Sequence, residues 1–330
     1  MRVNNNKGEI MRGINTSSIF FVVLIIWNIA TISFLIYRKN KLSKHRNYTH
    51  HRLQYILSYL LINIILIIGL IYISSTIGVT HYSIKSSRIP SEFDGFKIMQ
   101  ISDFHNGSFK GGTKKLIERV EKEKPDIIAL TGDIIDEKAL NDLPVAELVS
   151  KLKLFAPVYF VSGNHDINYP HFYDMYNMLK NEGVVLLENQ KVIIKKGMAQ
   201  INLYGIDDLV MPSNFGEKIF LNLEMSELKP QSGYNVLLFH RADFFDNLKG
   251  NGYQLVLAGH MHGGQVQIPF VGGLISPHIN RRLFPKYTDG IYSEAGTTMV
   301  VSRGLGNIVH VPRVLNPPEV VLVTLLHNEN

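Results

Sequence analysis

The sequence predicts an α/β domain preceded by two membrane-crossing helices, and three observations lead there. Apolar runs of strand length recur through residues 85–330, and several of them close on a short polar cluster. In the first half of that region these runs alternate with stretches of helical length, the strand–helix–strand order of a mostly parallel sheet. Two runs without any charged residue, 13–37 and 53–80, come before it.

The two uncharged runs are long enough to cross a bilayer, which takes about 20 apolar residues in a helix. Helices are expected at about 18–37 and 54–79, giving a membrane hairpin over residues 1–84 and a second domain over 85–330. A cleaved signal peptide fits the first run poorly, because its apolar core is too long and no small-x-small site follows. The connection, residues 38–53, holds six Lys/Arg. The positive-inside rule places such a loop in the cytoplasm. That makes a multi-pass protein of the cell membrane, with residues 85–330 on the extracytoplasmic face. His81 to Pro90 reads as a short tether.

Charge follows the same division. Residues 1–84 carry nine Lys/Arg and one acid, whereas the remainder carries 25 basic and 27 acidic residues. The basic character therefore belongs to the membrane segment, where it suits anionic headgroups. It gives no reason to expect nucleic-acid binding by the second domain. There is no cysteine, so no disulfide or thiolate metal site can form.

Along the second domain, Phe96 to Ile101 reads as the first buried strand. Lys114 to Lys124 reads as an amphipathic helix stopped by Pro125. Ile127 to Thr131 is a second strand, Pro144 to Leu154 a helix, and Pro157 to Val161 a third strand. A helix over His171 to Asn181 follows, then short strands near Val184–Leu187, Val192–Lys195 and Leu203–Ile206. Val236–Phe239 and Leu255–Ala258 repeat the strand-then-cluster device. Val300–Ser302 and Glu319–Leu325 close the domain. These patterns by themselves specify only α/β.

The polar clusters are Asp103-Phe104-His105, Gly132-Asp133-Ile134-Ile135-Asp136, Gly163-Asn164-His165-Asp166, the single His240, and Gly259-His260-Met261-His262. Carboxylate, imidazole and carboxamide groups are hard-to-borderline ligands that suit Mn, Fe or Zn. They stand where strands end, which is where α/β sheets place their chemistry. Gly132, Gly163 and Gly259 suit tight turns or close backbone approach after a strand. Taken singly, each cluster has an ordinary reading: a surface loop, a turn, a core histidine.

In this order the five clusters resemble the signature of the calcineurin-like metallophosphoesterases: D-x-H, G-D-x-x-D, G-N-H-D, an isolated His and G-H-x-H. The likeness covers about residues 85–326. His262-Gly263-Gly264-Gln265 and Ser302-Arg303-Gly304-Leu305-Gly306 are similar to a bacterial subgroup, the YkuE/YaeI-like phosphoesterases. The resemblance implies two packed mixed sheets flanked by helices and a site for two divalent ions. Asp103, His105 and His262 would hold the first ion, Asn164, His240 and His260 the second, and Asp133 would bridge them. His165 would donate a proton or hydrogen bond to substrate and Asp136 would orient it. Asp166 reads as structural, as do Asp207 and Asp208.

Arg303, His310 and Arg313 are candidate phosphate clamps, since guanidinium matches two oxygens at once, or else solvated or paired charges. Gly263-Gly264 would let phosphate approach the backbone. The protein Ser/Thr phosphatases of the same superfamily carry Arg one place after the second Asp of G-D-x-x-D; here that place is Glu137. A phosphodiester or pyrophosphate therefore fits better than a phosphomonoester dianion. The membrane hairpin favours a lipid-linked or cell-envelope substrate. The alternatives are a phosphoprotein phosphatase and a non-catalytic metal-binding membrane protein.

Overall fold

A computed structural model describes residues 25–34, 36–37, 49–73, 76–107, 109, 111–208, 225, 227–275, 283–306 and 313–329. The chain divides into two compact units, Met1–Ser74 and Ser75–Asn330.

In the first unit residues 25–34 are helical, and α1 runs Thr49–Ile73. Ile64, Ile65 and Ile68 of α1 are exposed. Asn28 donates through Nδ2 to Asn63 Oδ1 at 3.1 Å, and the Tyr59 hydroxyl donates to Asn28 Oδ1. Polar contacts of this kind join neighbouring apolar helices. Among the described residues no helix is long and apolar enough to cross a membrane. Most of the expected loop over 38–53 lies outside the described residues.

The second expected helix stops at Ile73. Gly78–Ser86 is a strand, β1, where a tether was expected. Its Thr80, Tyr82 and Ile84 are shielded while His81, Ser83 and Lys85 are mostly exposed, the period-two alternation of a half-buried strand. The uncharged run continues into Val79 and Thr80, which hides this change of periodicity.

The second unit is built from two six-stranded mixed sheets. The first contains β1, β2 (Phe96–Ile101), β3 (Ile127–Thr131), β4 (Val158–Val161), β5 (Val185–Leu186) and β14 (Glu319–His327), in the order β1-β14-β2-β3-β4-β5. The second contains β6 (Gln190–Lys196), β7 (Ala199–Ile206), β8 (Asn235–Arg241), β9 (Leu255–Gly259), β12 (Gly290–Glu294) and β13 (Thr297–Val301), in the order β12-β13-β9-β8-β7-β6. A two-stranded hairpin, β10 (Gln267–Ile268) and β11 (Gly272–Gly273), follows β9.

The sheets face each other through Ile98, Ala129, Val161, Leu203, Leu238 and Leu257, all buried in one cluster. The outer face of the first sheet is covered by α2 (Gly112–Glu123), α3 (Leu143–Leu152) and α5 (Phe172–Asn181), whose Leu116, Leu148 and Leu179 share a core with Met99 and Leu130. Every residue of β3, β8 and β9 is buried. Strands covered on both faces need continuous apolar runs, and these have them.

β2, β3 and β4 are mutually parallel, and so are β7, β8 and β9. β14 runs antiparallel to β2 and parallel to β1. The C-terminal ends of β2 and β3 therefore share one edge of the sheet with the first residues of β14 and β1.

Candidate metal centre

The five clusters converge at that edge. Asp103 and His105 follow β2, Asp133 follows β3, and Asn164 opens the short helix α4 (Asn164–Asn168) after β4. His240 lies within β8, and His260 and His262 follow β9. Among the described residues, three sets of candidate ligand atoms lie within 4.8 Å of one another: Asp103, His105, Asp133 and His262; Asp133, His240 and His260; and His105, Asp136 and His165. Asp133 belongs to the first two. Its Oδ2 is 3.1 Å from His240 Nε2 and 3.8 Å from His105 Nε2.

Five of these side chains are aimed by left-handed backbone. Asp103, His105, Asp133, His260 and His262 have φ of 52°, 43°, 52°, 71° and 46°. For residues bearing a Cβ this conformation costs roughly 1–2 kcal/mol each, and it persists where surrounding bonds impose it. Those bonds are present. The N–H groups of Asp103 and His105 donate to the carbonyls of Gly132 and Asp133 at 3.0 and 3.1 Å. The Leu305 and Gly306 N–H groups donate back to the Asp103 carbonyl. Two of the expected glycines are explained by close approach. A Cβ on Gly163 would stand 2.3 Å from Asp133 Oδ1, and one on Gly259 would stand 1.9 Å from Ser102 Oγ.

Asp166 organises the turn. Its Oδ2 accepts the N–H groups of Asp133 and Gly163, each at 2.7 Å, and its Oδ1 accepts that of Ile135 at 3.0 Å. His240 Nδ1 lies 2.8 Å from the Thr131 carbonyl. That contact requires the proton on Nδ1 and turns Nε2 toward Asp133, the arrangement in which a ligating histidine is held by its other nitrogen.

Burial favours the neutral form of His105, His260 and His262. It lowers His105 and His260 to about 3 and His262 well below the usual range. Burial alone would raise Asp133, but the neighbouring His240 more than offsets it, and the carboxyl is held well below its ordinary value. Asn164 Oδ1 is a buried acceptor with no hydrogen-bond partner. A carboxylate, imidazoles and a buried oxygen lacking a donor are groups a divalent cation takes as ligands, so the residues fit a metal pair.

His165 lies at the rim. Its backbone N–H donates to Asp133 Oδ1 at 2.8 Å, its ring meets that of His105 edge-on at 5.0 Å, and its Nδ1 has no hydrogen-bond partner. Asp136 is brought within the same small set, but its Oδ1 accepts the Lys138 N–H at 2.8 Å.

Several expected substrate contacts are placed elsewhere. Arg303 does not face the cluster as a free cation. Its Nη2 donates to Oε2 of buried Glu319, its N–H donates to Glu319 Oε1 at 3.0 Å, and Thr80 donates to the same carboxylate. Arg313 is buried behind His262. Its Nη2 donates to the carbonyls of Gly306 and Arg303 at 2.6 and 2.8 Å and lies 3.3 Å from His262 Nδ1. Both arginines are thus paired within the fold, the second of the two readings the sequence offered for them. Gly263 and Gly264 are buried as well. Cβ atoms there would meet Asn316 Oδ1 at 2.3 Å and the Gly273 backbone at 2.5 Å, so close packing excludes a side chain at either position. His310 lies outside the described residues.

Asp207 accepts the N–H and hydroxyl of Ser162 at 2.9 and 2.8 Å. Asp208 pairs through both oxygens with Arg241 Nε at 2.9 Å. Arg241 was not singled out from the sequence, although it directly follows His240; its signal was a cation closing a buried strand.

The calcineurin-like phosphoesterase family model matches residues 96–264. YkuE of Bacillus subtilis (strain 168), an uncharacterized metallophosphoesterase, is 33% identical over 255 residues, covering 76% of this chain and 85% of that relative. A metallophosphoesterase of Aquifex aeolicus (strain VF5) is 31% identical over 254 residues, covering 75% and 91%. Phosphodiesterase YaeI of Escherichia coli (strain K12) is 27% identical over 239 residues, covering 70% and 82%. The chain belongs to the calcineurin-like phosphoesterase family, within its YkuE/YaeI-like group. It is a metal-dependent phosphoesterase, a hydrolase.

Proposed function

We propose that the protein is a membrane-anchored two-metal phosphohydrolase that cleaves a phosphodiester or pyrophosphate bond in a lipid-linked or cell-envelope substrate. The observation that carries the two-metal reading is Asp133, shared by both ligand sets. Asp103, His105 and His262 would complete one position and Asn164, His240 and His260 the other. The donor set suits Mn, Zn or Fe. When bound, such ions supply an activated water and polarise the phosphoryl oxygens.

The remaining chemistry belongs to the chain. His165, anchored through its backbone to Asp133 Oδ1, has a buried Nδ1 with no hydrogen-bond partner and would protonate a leaving oxygen. Asp136 stands beside it as the orienting carboxylate. Glu137, 36% exposed at its side chain, offers no cation for the second charge of a monoester, which supports the diester reading. The name of relative YaeI as a phosphodiesterase agrees with it. Support for anchoring comes from the uncharged N-terminal runs and the exposed apolar surface of α1. Six Lys/Arg in residues 38–53 favour an extracytoplasmic catalytic unit.

The test is hydrolysis of bis-(p-nitrophenyl) phosphate against p-nitrophenyl phosphate by protein loaded with Mn, Zn or Fe. The expected result is preference for the diester. Turnover of the monoester alone would favour a phosphoprotein phosphatase and overturn the substrate reading.

A further inference from the structure

Directly after the turn that carries His262, the chain builds an exposed apolar surface. Phe270 is 96% exposed, and Val271, Leu283 and Phe284 are 64%, 65% and 55% exposed. Phe270 and Val271 form the tip of the β10–β11 hairpin. Leu283 is tied to the same structure by its bridge to Ile275, and Phe284 by its N–H bond to the Leu274 carbonyl at 2.9 Å. Both phenylalanines have left-handed backbone, with φ of 68° and 53°. Bulky residues rarely adopt it. A strained backbone that turns large apolar rings into solvent is the kind of outlier that points to function.

The surface is rooted on the metal centre. Ile275 N–H donates to the Gly264 carbonyl at 3.0 Å, and Gln267 Nε2 donates to the Gly263 carbonyl at 2.7 Å. Its stretch of sequence is charged with one sign. No acidic residue occurs between Asp246 and Asp289, whereas Arg281 and Arg282 immediately precede Leu283; Lys286, two places after Phe284, pairs with Asp246 at 3.2 Å. The chain also enters the catalytic unit at this end. Gly78 pairs with Glu319, whose N–H donates to the Gly304 carbonyl.

We infer that Phe270, Val271, Leu283 and Phe284 dock the metal-bearing end of the catalytic unit on a bilayer surface of anionic phospholipid. Apolar and aromatic side chains backed by cations are the pattern that settles at the headgroup–acyl boundary, and Lys/Arg in the same stretch of chain favour an anionic surface over a neutral one. Docking would bring the ligand cluster to the depth of a lipid phosphate. The inference rests on the membrane reading above and extends it from anchoring to orientation.

The test needs neither substrate nor metal. Trp27 is the one tryptophan in the sequence, so Trp27→Phe with Phe270→Trp in the full chain places a single reporter at the hairpin tip. The protein is reconstituted in phosphatidylglycerol-containing vesicles. The expected result is a blue-shifted emission, quenching by lipids brominated in their acyl chains and protection from aqueous acrylamide. Protein that floats with the vesicles while the reporter stays open to acrylamide and insensitive to brominated lipid would overturn the docking. Failure to float at all would overturn the membrane reading and the docking with it. Equal quenching in purely zwitterionic vesicles would overturn the role of the anionic headgroup.

Discussion

Arg303 and Glu319 form a buried ion pair joining the loop after β13 to the first residue of β14. The guanidinium donates to one carboxylate oxygen and the backbone N–H to the other, at 3.0 Å. The pair fixes the segment whose Leu305 and Gly306 N–H groups hold the Asp103 carbonyl. Arg303→Gln would strand a buried carboxylate, a loss of about 3–5 kcal/mol. We expect a lower urea midpoint with KM for a soluble diester unchanged. A raised KM at unchanged stability would restore Arg303 as a substrate contact.

A His165 variant tests whether chemistry and metal binding are separable. It touches Asp133 through its backbone, and Nδ1 is uncommitted. His165→Ala is expected to retain both ions by elemental analysis and to lose about 10²–10⁴ in rate, the usual worth of a positioned proton donor. Loss of an ion would make His165 a ligand.

β1 sets where the catalytic unit begins. A chain starting at Ser75 keeps Ile77 and Ile84, both buried, and the Thr80 bond to Glu319. A chain starting at Ser87 loses all three. Burial of one such aliphatic side chain contributes roughly 1.5–3 kcal/mol. The longer form should unfold cooperatively, and the shorter should melt at distinctly lower temperature or aggregate. Equal melting temperatures would show β1 to be dispensable.

Much of this architecture was legible because of how its strands are buried. β2 and β3 begin and end where the apolar runs do, since both faces of those strands are covered. β1 was masked by its continuity with the uncharged run before it, and β10 and β11 are too short to show any period. Among the site residues, the motif order brought Asp103, His105, Asp133, His240, His260 and His262 to one edge. The left-handed backbone of five of those six is invisible in residue type, because none is glycine. The partners of Arg303 and Arg313 were illegible for another reason. Whether a cation clamps substrate or satisfies a buried carboxylate depends on a residue such as Glu319, which only the folded chain brings within reach.

Asp207 gives the protein a definite pH signature. Burial pushes its carboxyl up to about 6, against the Ser162 hydrogen bonds that lower it. The folded state therefore holds a proton that the unfolded chain, titrating near about 3.9, releases earlier. The resulting contribution favours folding below about pH 4 and is lost as pH rises toward about 6. Across that interval it falls by at most about 1.4 kcal/mol per pH unit. Asp207→Asn keeps an acceptor for Ser162 and does not ionise. In metal-free protein its stability relative to the parent should rise between those limits and then level, as read from urea midpoints. A difference independent of pH would contradict the assignment.

The central claim, that one carboxylate serves two metal positions, is tested most directly by counting ions in Asp133→Asn. Elemental analysis of the parent, purified with Mn, Zn or Fe, should return two ions per chain. In the variant, occupancy should fall at both positions together and diester turnover should vanish, while circular dichroism stays that of the folded parent. Two ions still bound at a near-normal rate would contradict the account.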